Sequence, residues 1–190
     1  MKRATALIIL CGLGLLTGCI PFAVSPWYQE KDLVFDPALI GVWSMDDPEG
    51  DDERYQFEQS GPDEYTLTHT DDGRKSLYSA HLFKLGDQLC MDVYAKDPLV
   101  ELDGMFADHS LMLHSFYVVH AIAPVLAIST LEYDWLKEYL KDPGMPAHII
   151  DDNRIVFTAQ TSELQALVLK NLANDSAFCE PEVLKWVANE

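Results

Sequence analysis

The sequence predicts an α+β fold made mainly of antiparallel sheet, with two or three short helices in its C-terminal third. Three observations carry this: alternating strand-like stretches up to about residue 130, a Gly-first turn at Gly86-Asp87, and helical apolar spacing only from Asp134 onward. No series of long helices is available to supply the crossovers that a parallel sheet needs.

The N-terminus stands apart from the fold. Met1-Lys2-Arg3 is positive, and the apolar run over residues 4–16 is too short to span a bilayer comfortably, so residues 1–18 read as a cleaved signal peptide. Leu16-Thr17-Gly18-Cys19 resembles the lipobox of bacterial lipoproteins. That resemblance implies diacylglycerol on the Cys19 sulfur, with fatty chains such as palmitate. Each buried methylene would contribute roughly 0.8 kcal/mol to anchoring. It also implies a bacterial cell envelope, with the membrane as partner through the lipid. Cys19 is followed by Ile20 and not by the aspartate that resembles the inner-membrane retention signal of enteric-type bacteria, which points to the periplasmic side of the outer membrane in a host with two membranes and to the cell-surface side of the membrane in a host with one. Residues 19–36 then form the lipidated N-terminus and a short tether or extended arm, in which Pro21, Pro26 and Gln29-Glu30-Lys31-Asp32 oppose a regular helix. Residues 37–190 form a single globular domain.

The chain carries 13 basic and 31 acidic residues, and removing Lys2 and Arg3 with the signal leaves the mature part near −20. Such a charge repels nucleic acid and anionic lipid surfaces. Aromatic residues spread along the chain argue against disorder. With Cys19 assigned to lipid and Cys11 lost with the signal, Cys90 and Cys179 are left as a candidate disulfide pair in an oxidising compartment, two buried thiols being the alternative.

Strands are expected in order along the domain. Residues 39–44 follow Pro37; Tyr55 and Phe57 alternate with Arg54, Gln56 and Glu58; residues 65–69 follow the Gly61-Pro62 turn. Residues 75–85 and 88–94 form a hairpin, since a Gly-first pair suits a type II′ turn. Residues 112–121 and 123–129 continue the sheet. Asp134 caps a helix through Lys141 that ends at Asp142-Pro143-Gly144. Residues 154–158 return to strand. Thr161 or Ser162 opens a second helix, with Gln165 completing a capping box on Ser162 and Leu164, Leu167, Val168 and Leu172 as its stripe. Pro181 leads a last short helix over residues 181–188.

Gly41-x-Trp43, just inside the first of these strands, resembles the opening motif of the lipocalin and wider calycin group. The resemblance implies a barrel or half-open barrel taking a small apolar ligand, with Trp43, Tyr55, Phe57, Tyr78 and Phe116 as lining. The helix at Asp134, followed by another strand and helix, departs from that group's eight strands and single terminal helix. The mature chain also resembles small bacterial lipoproteins of unassigned function, through Leu82-Phe83-Lys84-Leu85-Gly86-Asp87, Asp134-Trp135-Leu136 and Thr158-Ala159 before Glu163-Leu164-Gln165. That implies no catalytic residue.

Candidate chemistry is sparse. Asp108, His109, His114 and His120 are the densest histidine region, with His81 and His148 elsewhere. On one extended strand His114 and His120 share a face but lie about 20 Å apart, too far for one metal. The acidic stretch from Asp46 to Glu53 lacks a calcium-loop register. Ser60-Gly61 has no nucleophile elbow, and Asp108, Ser110, His114 and Ser115 are merely neighbours in sequence. No cofactor is implied. The expectation is therefore a non-catalytic binding or structural module of the envelope; the alternatives are a lipocalin-like binder of a small apolar ligand, a module docking an envelope protein, and an envelope enzyme.

Overall fold

The computed structural model describes residues 20–45, 53–96, 111–142, 144–151 and 154–188. Cys11, Cys19, residues 46–52, Asp108, His109 and Ser110 lie outside them, as do the signal and lipobox.

Eight strands close into an antiparallel barrel. They are β3 (Gly41–Met45), β4 (Arg54–Gln59), β5 (Tyr65–Asp71), β6 (Arg74–Leu85), β7 (Gln88–Ala95), β8 (His114–Ala121), β9 (Val125–Ser129) and β12 (Glu182–Ala188), each hydrogen-bonded to the next, with β12 also paired to β3. Closure leaves these strands no free barrel edge. Two-residue turns join β5 to β6 and β6 to β7. Gly86 takes φ +61 while Asp87 does not leave the negative region, as the II′ expectation requires, and Asp72 with Gly73 both take positive φ. Gly41 opens β3 at φ +137, a conformation side chains rarely adopt, which accounts for the glycine of the Gly-x-Trp pair. Two residues on, the buried Trp43 indole donates to the carbonyl of Leu39 at 2.9 Å, in a 3-10 turn, Pro37–Leu39, whose Leu39 is buried in the barrel core.

The last short helix expected over residues 181–188 is instead β12, the closing strand. Glu182, Leu184 and Trp186 alternate with Val183, Lys185 and Val187, and both edges find partners: Leu184 lies opposite Met45 on β3 and Leu126 on β9. Pairing on two sides overrides a seven-residue helical propensity that had nothing to pack against.

Everything between β9 and β12 is carried outside the barrel. This excursion contains α1 (Tyr133–Tyr139), β10 (Ala147–Asp151), β11 (Arg154–Phe157) and α2 (Thr161–Asn171). It explains how a chain with helices so early still closes. β10 has no counterpart among the expected strands. The caps also differ: Glu132, not Asp134, accepts from the Trp135 amide, and the α2 capping box is Gln160 with Glu163. Gln165 is buried and turned to the N-terminal arm, donating to the Trp27 carbonyl and to Asp32.

That arm, residues 20–36, is packed onto the barrel from its first described residue. Ile20 is buried in the barrel core, β1 (Phe22–Ala23) lies antiparallel to β8 and parallel to β11, and β2 (Leu33–Val34) pairs with the second half of β6. Trp27 is fully buried among Phe116 and Phe157, and its backbone N–H donates to Asp92 at 3.0 Å.

Two apolar clusters result from the alternation of side chains across one wall. One lies inside the barrel; the other lies between the outer faces of β6, β7 and β8 and the two helices, centred on Trp27, Phe83, Phe116, Phe157, Leu136 and Leu164. No helix among the described residues is long and apolar enough to cross a membrane.

Candidate functional site

The barrel interior is not completely filled. Near the end where β3 finishes and β4, β8 and β12 begin lies a partly open cavity. Its volume is about 50 Å³. That is room for a few waters or a small organic molecule. Tyr55 and Phe57 of β4 line it, with Leu67 and His69 of β5, Tyr78 of β6, Met91 and Val93 of β7, Ser115 and Tyr117 of β8, Leu126 and Ile128 of β9, and Leu184 of β12.

Strand alternation explains who points inward. β5 buries Tyr65, Leu67 and His69 at every second position, and β4 buries Tyr55 and Phe57. Of the residues expected as lining, Tyr55, Phe57 and Tyr78 are at the cavity. Trp43 is in the same core but is taken up by its bond to Leu39, away from the open space. Phe116 faces the other way, against Trp27 at 4.8 Å between ring centres and Phe83 at 6.4 Å; its neighbours Ser115 and Tyr117 are the inward pair. The physical reason is that β8 is buried on both faces, so apolar character did not mark its phase.

The cavity wall is apolar with a polar rim. Glu53, just before β4, accepts from the Tyr55 hydroxyl at 2.6 Å and lies 2.8 Å from His69 Nε2. The Tyr55 and His69 rings are 4.8 Å apart. Burial first, then the Glu53 bond and charge, push the Tyr55 hydroxyl well above its ordinary range; burial first does the same for Tyr117. Both therefore stay neutral hydrogen-bonding groups.

The histidines of the sequence analysis separate. His114 and His120 sit on one extended strand: His114 Nδ1 meets Asp92 at 2.8 Å and His120 Nε2 meets Ser129 at 2.8 Å. His148 is exposed on β10, and His81 stacks on Tyr28 on the outer face of β6. Among the described residues no group of three or more His, Cys, Asp or Glu could hold a metal ion.

The candidate Cys90–Cys179 disulfide is not formed. Cys90 is buried on the helix side of β7, with burial pushing its thiol up to about 12, while Cys179 is exposed beyond β9. Cys90 lies opposite Val118, Val118 opposite Ser129, and the Cys179 amide bonds to Thr130, so three inter-strand steps separate them. Those steps amount to roughly 14 Å, about twice the reach of a disulfide.

The fold is consistent with a calycin or lipocalin-like barrel bearing an outer excursion of strands and helices. Set against protein-family models, curated proteins and solved structures, the chain has no significant match.

Proposed function

We propose that this protein binds a small, mainly apolar ligand inside its barrel, as an exported lipoprotein held by lipid on Cys19 at the bacterial envelope. The single observation that supports the binding reading is the partly open cavity in an otherwise closely packed barrel, walled by aromatic and aliphatic side chains. Natural interiors are packed to few voids larger than a water molecule, so a void of this size beneath a rim of polar groups is the usual form of a ligand site.

The lipid anchor is supported by sequence alone, through Leu16-Thr17-Gly18-Cys19 after a short apolar run. With it go a single globular domain, the cell envelope as location and, in a host with two membranes, the periplasmic side of the outer membrane. Mass spectrometry of the membrane-bound protein should find the mature chain starting at an acylated Cys19; normal acylated protein after Cys19→Ser would overturn the assignment.

Titration with 1-hexanol, followed by NMR shifts of the cavity methyl groups, tests the binding reading. Binding should perturb Met91, Val93, Leu126 and Ile128, and Val93→Phe, which places a ring in the void, should abolish it. Shifts confined to the outer cluster would sink the proposal.

Docking of an envelope protein is the second reading. Val183 and Val187, about half exposed on the outward face of β12, give it a surface.

A further inference from the structure

An apolar ligand leaves one part of the cavity unexplained. Glu182, the first residue of β12, lies opposite Ile128 and two positions before Leu184, both of which line the cavity, so alternation turns its side chain inward at the mouth. Its Oε2 is shut off from solvent and finds no hydrogen-bond partner among the described residues. Burial, and then the nearby charge of Glu53, hold its carboxyl above the ordinary range. A buried acceptor without a partner is costly, and native structures keep few of them.

The surroundings say what would relieve that cost. Glu182 interacts electrostatically with Tyr55 and Tyr117, whose side chains form part of the wall, and Glu53 accepts from Tyr55 on the same rim. No lysine or arginine is among the residues lining the cavity, and His69, which does line it, already meets Glu53 at 2.8 Å and leaves Glu182 Oε2 without a partner. Two carboxylates thus share one low-dielectric mouth, where the most effective neutralisation is a cation brought in with the ligand. A neutral donor could satisfy Oε2 but would leave the repulsion between Glu182 and Glu53 in place. The net charge of −18 favours the arrival of a cation as well.

We infer that the barrel takes an amphiphile with a primary ammonium head, its apolar body in the cavity and its cation seated between Glu182 and Glu53. This rests on the cavity being a ligand site. An ammonium has three N–H donors, enough for Glu182 Oε2, the Glu53 carboxylate and one rim hydroxyl.

The test is calorimetric titration of the full-length chain with hexylamine, 1-hexanol and hexanoate at neutral pH and fixed ionic strength. Hexylamine should bind about tenfold more tightly than 1-hexanol, the size expected of a charge-assisted contact that is partly shielded from water, and hexanoate most weakly. Glu182→Gln should bring hexylamine to within about twofold of 1-hexanol measured on the same variant. Glu58→Gln, exposed on the outside of β4, should keep the preference, which separates the mouth from general attraction to an acidic surface. If 1-hexanol binds and hexylamine binds no more tightly, the ammonium assignment is wrong while the cavity reading survives. A preference that persists in Glu182→Gln overturns the ammonium assignment in the same way. If none of the three binds, both fall; the ranking in the unmodified chain decides even if a variant fails to fold.

Discussion

The two faces of β7 and β8 make a natural pair. Outward, Cys90, Phe116 and Val118 pack under Trp27 and the helices with little or no exposure, and the buried Asp92 is used twice, accepting from the Trp27 amide and meeting His114. Inward, the same strands present Met91, Val93, Ser115 and Tyr117 to an unfilled space, with Glu182 unsatisfied nearby. Composition barely distinguishes the two sides; the filling of space does. A region built for stability fills its space, whereas one built for a ligand leaves it open until the ligand arrives.

The largest expected effect comes from breaking the filled side. Phe116→Ala removes the ring between Trp27 and Phe83 and should cost about 3–5 kcal/mol in urea unfolding. If the loss is under about 1 kcal/mol, the outer cluster is not the stabilising one. Next, Asp92→Ala orphans the Trp27 amide and frees His114, for a loss of about 2–3 kcal/mol. It should also loosen the arm, seen as faster amide exchange at Trp27. The open side responds more weakly. Val93→Phe, which fills the void, should change stability by no more than about 1 kcal/mol in either direction, because the new ring enters existing space. Smallest is Glu182→Gln, a gain of about 0.5 kcal/mol near neutral pH, discounted for partial exposure.

The pH dependence of that last gain has a definite sign. Glu182's folded pKa is raised by burial, so the folded state binds a proton more readily than the unfolded chain. The unmodified protein therefore has its relative advantage below the unfolded value and loses it as pH rises through the folded one. Denaturation curves should show the two proteins alike in acid and diverging toward neutrality, with the variant the more stable. Divergence in the opposite direction would mean that Glu182 is stabilised in its ionised form.

What the sequence revealed depended on whether a signal was local. The hairpin at Gly86-Asp87 was legible because a glycine at positive φ and two flanking strands are all contiguous. The start of β3 was legible from Gly41 and Trp43 for the same reason. β12 was not: residues 182–188 carry apolar side chains on both faces, and what makes them a strand is a partner more than a hundred residues away. The phase of β8 was hidden in the same way, because a strand buried on both faces gives no alternation to read. Tyr55, Phe57 and Tyr78 could be named as aromatic candidates from their strands alone. His69, Tyr117 and Glu182 could not, since the mouth is assembled from β4, β5, β8 and β12 and exists only once the barrel is shut.

That shutting has a temporal side. The β3–β12 seam joins Met45 to Leu184, so the first barrel strand stays without one neighbour until residues 182–188 have emerged. Contacts of such long sequence separation form late and slowly. A chain that stopped short of residue 182 would present two bare sheet edges to every neighbour it met.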